Sequence, residues 1–261
     1  MIEFSWTVGR LDSWTGKAKA GGNSVGAAAH RRPQICYQGF HEWGFSMTLK
    51  IGLGFWMFMV IIAAFLYVPP AMGLGDLARI IFFHVPLAWV GVLAYLVSML
   101  NGVRYLRQPK MIFDQQAAFN AEIGFAFTLL ATITGAIFAR NTWGMYWNWD
   151  PRQTSIFILL IIYGAYFLLR SAVEDEERRA RMASVYSILA FISVPFLVFI
   201  IPRIYMSLHP DPLINVEGQL KMDVRMFYVF LASLAGFTGI YMWINSLHRR
   251  IAMLKEKWRE R

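Results

Sequence analysis

The chain has 261 residues, 57% hydrophobic and 16% charged, with a formal net charge of +9 and a mean hydropathy of +0.44. A soluble domain carries about 25% charged residues, so this composition excludes a disordered chain, a basic protein that coats nucleic acid and most soluble enzymes, and leaves an integral membrane protein. The single cysteine, Cys36, excludes an internal disulfide, a C-x-x-C redox pair and an all-cysteine metal cluster, so metal chemistry falls to His or carboxylate.

Residues 1–46 are rich in Gly, Ala, Ser and Thr, hold no long apolar run, and are broken by Gly21-Gly22 and Gly26. The apolar core of a signal peptide is missing. Two readings stand: a cytoplasmic extension without fixed structure, or a start assigned too early, with Met47 beginning the protein.

Residues 47–248 read as a membrane domain. A spanning helix needs about 20 mainly apolar residues, and six stretches without Asp, Glu, Lys or Arg qualify: Ile51–Val68, Ile80–Val103, Ile123–Ala139, Gln153–Leu169, Ala183–Ile201 and Met226–Leu247. Pro69-Pro70, Pro109, Pro151, Pro210 and Pro212 punctuate the connections. Pro195 lies inside the fifth stretch and predicts a kink, with Ser193 or a neighbouring helix satisfying the backbone that it frees. The charge run Glu174–Arg181 predicts a solvated turn. Six spans put both termini on one side, which holds 19 of the 25 Lys and Arg, including the basic tail 249–261, against 6 on the other. The positive-inside rule places that side in the cytoplasm. The fold class expected is therefore an all-α integral membrane protein of six helices with both termini cytoplasmic.

Three features then share the outer side. His84 stands at the start of the second span and His209 just beyond the end of the fifth, while His30, His41 and His248 belong to cytoplasmic segments. A lone His at an interface is usually a hydrogen-bonded one, but two on one face, without Cys or a carboxylate cluster, suit the axial positions of a haem better than a closed tetrahedral zinc site. Between them, the outer loop 140–152 packs Trp143, Tyr146, Trp147 and Trp149 into seven residues closed by Asp150. Aromatics also form anchoring belts at membrane interfaces, yet this density exceeds what anchoring needs, and flat rings give stacking contact to a planar macrocycle. Arg79, Arg140, Arg152 and Arg203 flank these features against the topological bias. Arg forks onto carboxylates such as haem propionates; lipid headgroups and Asp150 are the competing partners.

The run Trp143-Gly144-Met145-Tyr146-Trp147-Asn148-Trp149-Asp150 fits the W-G-x-x-W-x-W-D signature of haem-handling membrane proteins of cytochrome c biogenesis. Over about residues 47–248 the chain resembles the cytochrome c maturation protein C (CcmC) family, with His84 and His209 where that family has its two outer histidines. The resemblance implies a non-enzymatic protein of the cytoplasmic (inner) membrane with its haem site facing outward. It would export or present haem b at the outer face, with His84 and His209 as axial ligands. Trp143, Gly144, Trp147 and Trp149 would contact the macrocycle, and Asp150 would hydrogen-bond or close the loop. Delivery would be to the haem chaperone CcmE, with the ABC-type components CcmA and CcmB and the small membrane protein CcmD. To this we add Arg79 and Arg152 as propionate partners. The related CcmF is much longer, and CcsA is longer with further histidines in its spans; here no span beyond the second holds a His. A CcsA-like synthase component remains an alternative. So does a small-molecule transporter or permease subunit, which would place ionisable groups near the midplane, where these stretches have none.

Overall fold

Residues 46–209 and 222–259 are described by a computed structural model of the chain. Cys36, His30 and His41 with the rest of the extension to residue 45, the loop prolines Pro210 and Pro212, Lys221 and the last two residues lie outside the described residues. The described residues fall in one compact unit, Glu42–Arg261.

Six helices are long and apolar enough to cross a membrane, in the order expected: α1 (Met47–Tyr67), α2 (Asp76–Arg107), α3 (Met111–Trp143), α4 (Pro151–Ala172), α5 (Glu176–Ile204) and α6 (Val224–Arg259). Each is longer than its apolar stretch, although α1 stops one residue short of Val68, because hydrocarbon thickness sets the stretch whereas backbone hydrogen bonding sets the helix. The difference is largest in α3, which begins at Met111 rather than Ile123 and carries Asp114, Gln116, Asn120 and Glu122 within it. Its 33 residues extend about 50 Å at about 1.5 Å per residue, well beyond the hydrocarbon core.

The charged run Glu174–Arg181 is mostly helix. Asp175 accepts the Arg178 N–H at 2.7 Å and caps α5, and Glu176 and Glu177 occupy its first turn. Acidic side chains are favoured there by the orphan N–H groups and the positive end of the helix dipole. At Pro195 the expected irregularity takes the form of a π-helical turn over Phe196–Ile200, and the Ser193 hydroxyl donates to the Ala190 carbonyl at 2.6 Å. A second π-helical turn, Ala63–Tyr67, ends α1.

The centre of the bundle is α2, which packs on α3, α5 and α6. With no hydrophobic driving force between helices in lipid, close packing needs small residues. Gly102 lies against Ser184 and Ser187 of α5, and a Cβ there would be 2.5 Å from the Ser187 hydroxyl. Tyr95 lies flat on Tyr163 (centroids 3.6 Å, 18°) amid Leu159, Tyr166, Val194 and Leu197. At one end of the bundle, Asp114 of α3 is 2% exposed and grips Arg170 of α4 through two bonds of 2.6 and 2.9 Å. The other end of these same two helices carries the tryptophan-rich loop. Helix α1 is peripheral and rests on α6, where the Trp56 indole donates to the Ala232 carbonyl at 2.9 Å.

Candidate functional site

The loop begins where α3 stops. Gly144 takes φ +83°, a left-handed turn that a side chain disfavours, and its N–H returns to the Arg140 carbonyl at 3.2 Å. The Arg140 guanidinium donates to the Gly144 carbonyl and lies over the Tyr146 ring at 5.8 Å. Gln153, in the first turn of α4, reaches back into the loop: its amide donates to the Tyr146 carbonyl (3.3 Å) and accepts the Asn148 N–H (3.0 Å). Trp149 is the one non-glycine residue at positive φ (+58°) among those described. Its carbonyl accepts the Thr154 hydroxyl at 3.2 Å. Such a conformation costs an L-residue about 1–2 kcal/mol and persists where surrounding bonds over-determine it.

Asp150 closes the loop and does more than cap α4. Its carboxylate accepts the Arg152 N–H (2.9 Å), the Ser207 hydroxyl (2.8 and 2.9 Å) and the Leu208 N–H (2.7 Å), joining the start of α4 to the segment that follows α5. His209 donates its own N–H to the Ser207 hydroxyl oxygen at 3.2 Å. Its Nδ1 stands 3.4 Å from Asp150 Oδ1, near enough to attract but off the line of a hydrogen bond, and has no other partner among the described residues. The Trp143 ring meets His209 edge-on at 4.9 Å.

His84 is held from α3. Its Nδ1 lies 2.9 Å from the Ala131 carbonyl, which can only accept, so we assign the proton to Nδ1. Thr134 Oγ1 lies 3.1 Å from the same nitrogen. Gly135 makes room for the ring: a Cβ there would be 2.9 Å from His84 Cε1.

Electrostatics tie these groups together. Burial pushes the His209 imidazolium down to about 4; the positive charge of Arg152 adds to this and Asp150 opposes it. Burial alone would push the Asp150 carboxyl up, but the N–H groups of Arg152 and Leu208, the Ser207 hydroxyl and His209 hold it below the usual carboxylate value. Arg152 and Asp150 therefore act on His209 with opposite sign.

Of the residues singled out from sequence, the structure gathers Trp143, Asp150 and His209 by direct contact, with the charge of Arg152 acting on the last, while His84 is held against α3 by Ala131 and Thr134. Trp147 and Trp149 pack on each other (5.9 Å, 88°) and on Phe157 of α4, and Trp149 is exposed. Arg79 turns toward α1: it pairs with Asp76 at 2.8 Å and donates to the Ala64 and Phe65 carbonyls at 2.5 and 2.6 Å. Arg203 donates to the Phe199 carbonyl within its own helix. Sequence reasoning missed Ser207, Gln153, Thr134 and Gly135. The Ser-x-His spacing at 207–209 and an amide two residues after Pro151 were available signals; nothing in the sequence marked Thr134-Gly135 as facing His84.

The model of the family described as heme exporter protein C matches residues 33–261. A heme exporter protein C of Bradyrhizobium diazoefficiens is 31% identical over 185 residues, covering 71% of this chain and 70% of that protein. A putative cytochrome c biosynthesis ccmC-like mitochondrial protein of Marchantia polymorpha is 31% identical over 198 residues, 74% of this chain and 83% of the relative. The heme exporter protein C of Escherichia coli is 30% identical over 189 residues, 71% and 74% of the two chains.

Proposed function

Because this chain belongs to the heme exporter protein C family, a haem-handling family of cytochrome c biogenesis, we propose that it receives haem b as cargo between His84 and His209 and hands it on. It is a multi-pass membrane protein whose family role is transport and delivery. The observation that carries the assignment is the orientation of the two imidazoles. Each has Nδ1 turned to a protein oxygen, and the opposite edge of the ring carries Nε2, the atom that a haem iron would take.

Trp143, which touches His209, and the backbone turn at Gly144 would flank the macrocycle, while Trp147 and Trp149 would extend that apolar wall toward α4. Asp150 positions His209 and closes the loop. We assign the propionates to Arg152 and Arg79. Arg152 is supported by its field at His209; Arg79, which already holds Asp76 and two carbonyls, has about one of its five N–H groups left for the purpose. Ser207, Asp150 and His209 do not form a hydrolytic triad, since the Ser207 hydroxyl donates to the carboxylate instead of to the imidazole. The outer rim, facing the periplasm across the inner membrane, is where the haem would be presented to the chaperone CcmE, with CcmA, CcmB and CcmD as assembly partners.

The test is a pyridine haemochrome assay with visible spectra on the detergent-purified protein beside His84→Ala and His209→Ala. Near-stoichiometric b-type haem, lost or spectrally altered in either variant, is the expected result. A haem-free wild type, even after co-expression with the proposed partners, would overturn the proposal. Gly135→Ala gives a finer check. Its methyl would crowd the His84 ring, which the Ala131 carbonyl and Thr134 hold in place, so haem retention should fall several-fold, while the better helix propensity of Ala, about 1 kcal/mol, offsets part of the crowding cost in thermal stability.

A further inference from the structure

The two imidazoles are supported by different chemistry. His84 gives its Nδ1 proton to a neutral carbonyl, that of Ala131, at 2.9 Å. His209 faces an anion: Asp150 Oδ1 is 3.4 Å from its Nδ1, and that nitrogen is buried without a hydrogen bond among the described residues. The carboxylate is itself immobilised, since Ser207, Leu208 and Arg152 hold it from two directions. It is 5% exposed, so little water screens it. A carboxylate oxygen has room for the further bond, and a small rotation of the His209 ring, edge-on to Trp143, would complete it. An imidazole backed by a carboxylate is a stronger donor to iron than one backed by an amide carbonyl, because partial negative charge is passed through the ring.

Resting on the haem-site reading above, we propose that the two axial ligands are unequal by construction: Asp150 makes His209 the retained ligand of the haem iron, and His84 is the ligand that lets go first when haem is passed on. Handover is then a ligand exchange on the His84 side. The iron–Nε2 bond to His84 breaks, a donor atom of the acceptor protein takes that position, and no electron changes hands. The neutral partner of His84 and its seat within α2 fit a ligand that is relinquished and refilled.

The experiment compares the midpoint potential and visible spectrum of bound haem in the full-length wild type, Asp150→Asn and Ser207→Ala. Asp150→Asn keeps a good helix cap but removes the charge behind His209, so haem should stay bound and low-spin while its potential moves positive. Ser207→Ala loosens the same carboxylate without removing its charge and should leave the potential near that of the wild type. To separate action through His209 from a charge effect through space, Asp150→Asn is repeated in the His209→Ala background with 1-methylimidazole supplied as ligand, which has no N–H to donate. The shift should vanish there. In parallel, His209→Ala should lose a larger share of its haem than His84→Ala. An unchanged potential in Asp150→Asn, or a shift that persists with 1-methylimidazole, overturns the proposal of unequal ligands while leaving the bis-histidine site standing. A wild type without haem overturns the site itself.

Discussion

Asp114→Ala is expected to destabilise the protein by about 3–5 kcal/mol, the usual cost of removing one partner of a buried ion pair. Asp114 is 2% exposed, and its carboxylate takes both nitrogens of the Arg170 fork, at 2.6 and 2.9 Å. The same guanidinium lies 5.8 Å over the Tyr166 ring. Losing the carboxylate leaves a cation at the packed end of α3 and α4 with its best acceptor gone. Arg170→Ala should cost about as much. The pair Asp114→Leu with Arg170→Met, which leaves neither charge, should recover most of the loss, because an apolar replacement of similar volume is commonly neutral or stabilising. Unfolding curves in mixed detergent, read by circular dichroism, check all three variants. A loss under about 1 kcal/mol in Asp114→Ala would show that the pair is hydrated and contributes little.

The count and order of the spans were legible because hydrocarbon thickness demands a long apolar stretch whatever packs against it. Their ends were not, and α3 shows why. The helix keeps its backbone bonds through Asp114, Gln116 and Asn120, whose side chains reach Arg170, His248 and the Tyr241 hydroxyl, far away in the chain. Periodicity of apolar residues cannot report partners that distant in sequence.

The site was legible by composition and obscure in direction. The cluster of tryptophans, the two histidines and Asp150 stood out as residue types, and the structure brings Trp143 and Asp150 onto His209. Arg79 was singled out for its nearness to His84 in the chain. Its guanidinium instead reaches two carbonyls of the π-helical turn that ends α1, and the sequence gives no sign that α1 ends in such a turn. Gln153 looked like the polar edge of a span, yet it holds two backbone groups of the tryptophan loop. Side chains that organise backbone leave a weaker trace in composition than side chains that meet a ligand.

Acid is expected to loosen the haem-free outer loop between about pH 6.5 and pH 4, through His209. Burial and the charge of Arg152 hold its folded pKa at about 4, below the ordinary value of about 6.5 that the unfolded chain shows. The unfolded state therefore binds the proton first as the pH falls. The stability contributed by a neutral His209 is full above about pH 6.5, falls through the interval and is gone below about pH 4, a total of order 3 kcal/mol at about 1.4 kcal/mol per unit. Asp150 acts in a lower window. Its folded pKa is depressed, so its contribution is full above the ordinary carboxylate value of about 4 and is lost only as the pH falls below it. Thermal melts of haem-free wild type and His209→Ala from pH 8 to pH 4 separate the two: the wild type should lose stability steadily below pH 6.5, and the variant should follow a flatter line until Asp150 begins to protonate. Parallel curves would mean that the His209 imidazole reaches water in the folded protein, and that the carboxylate beside it is not screened from solvent as its burial implies.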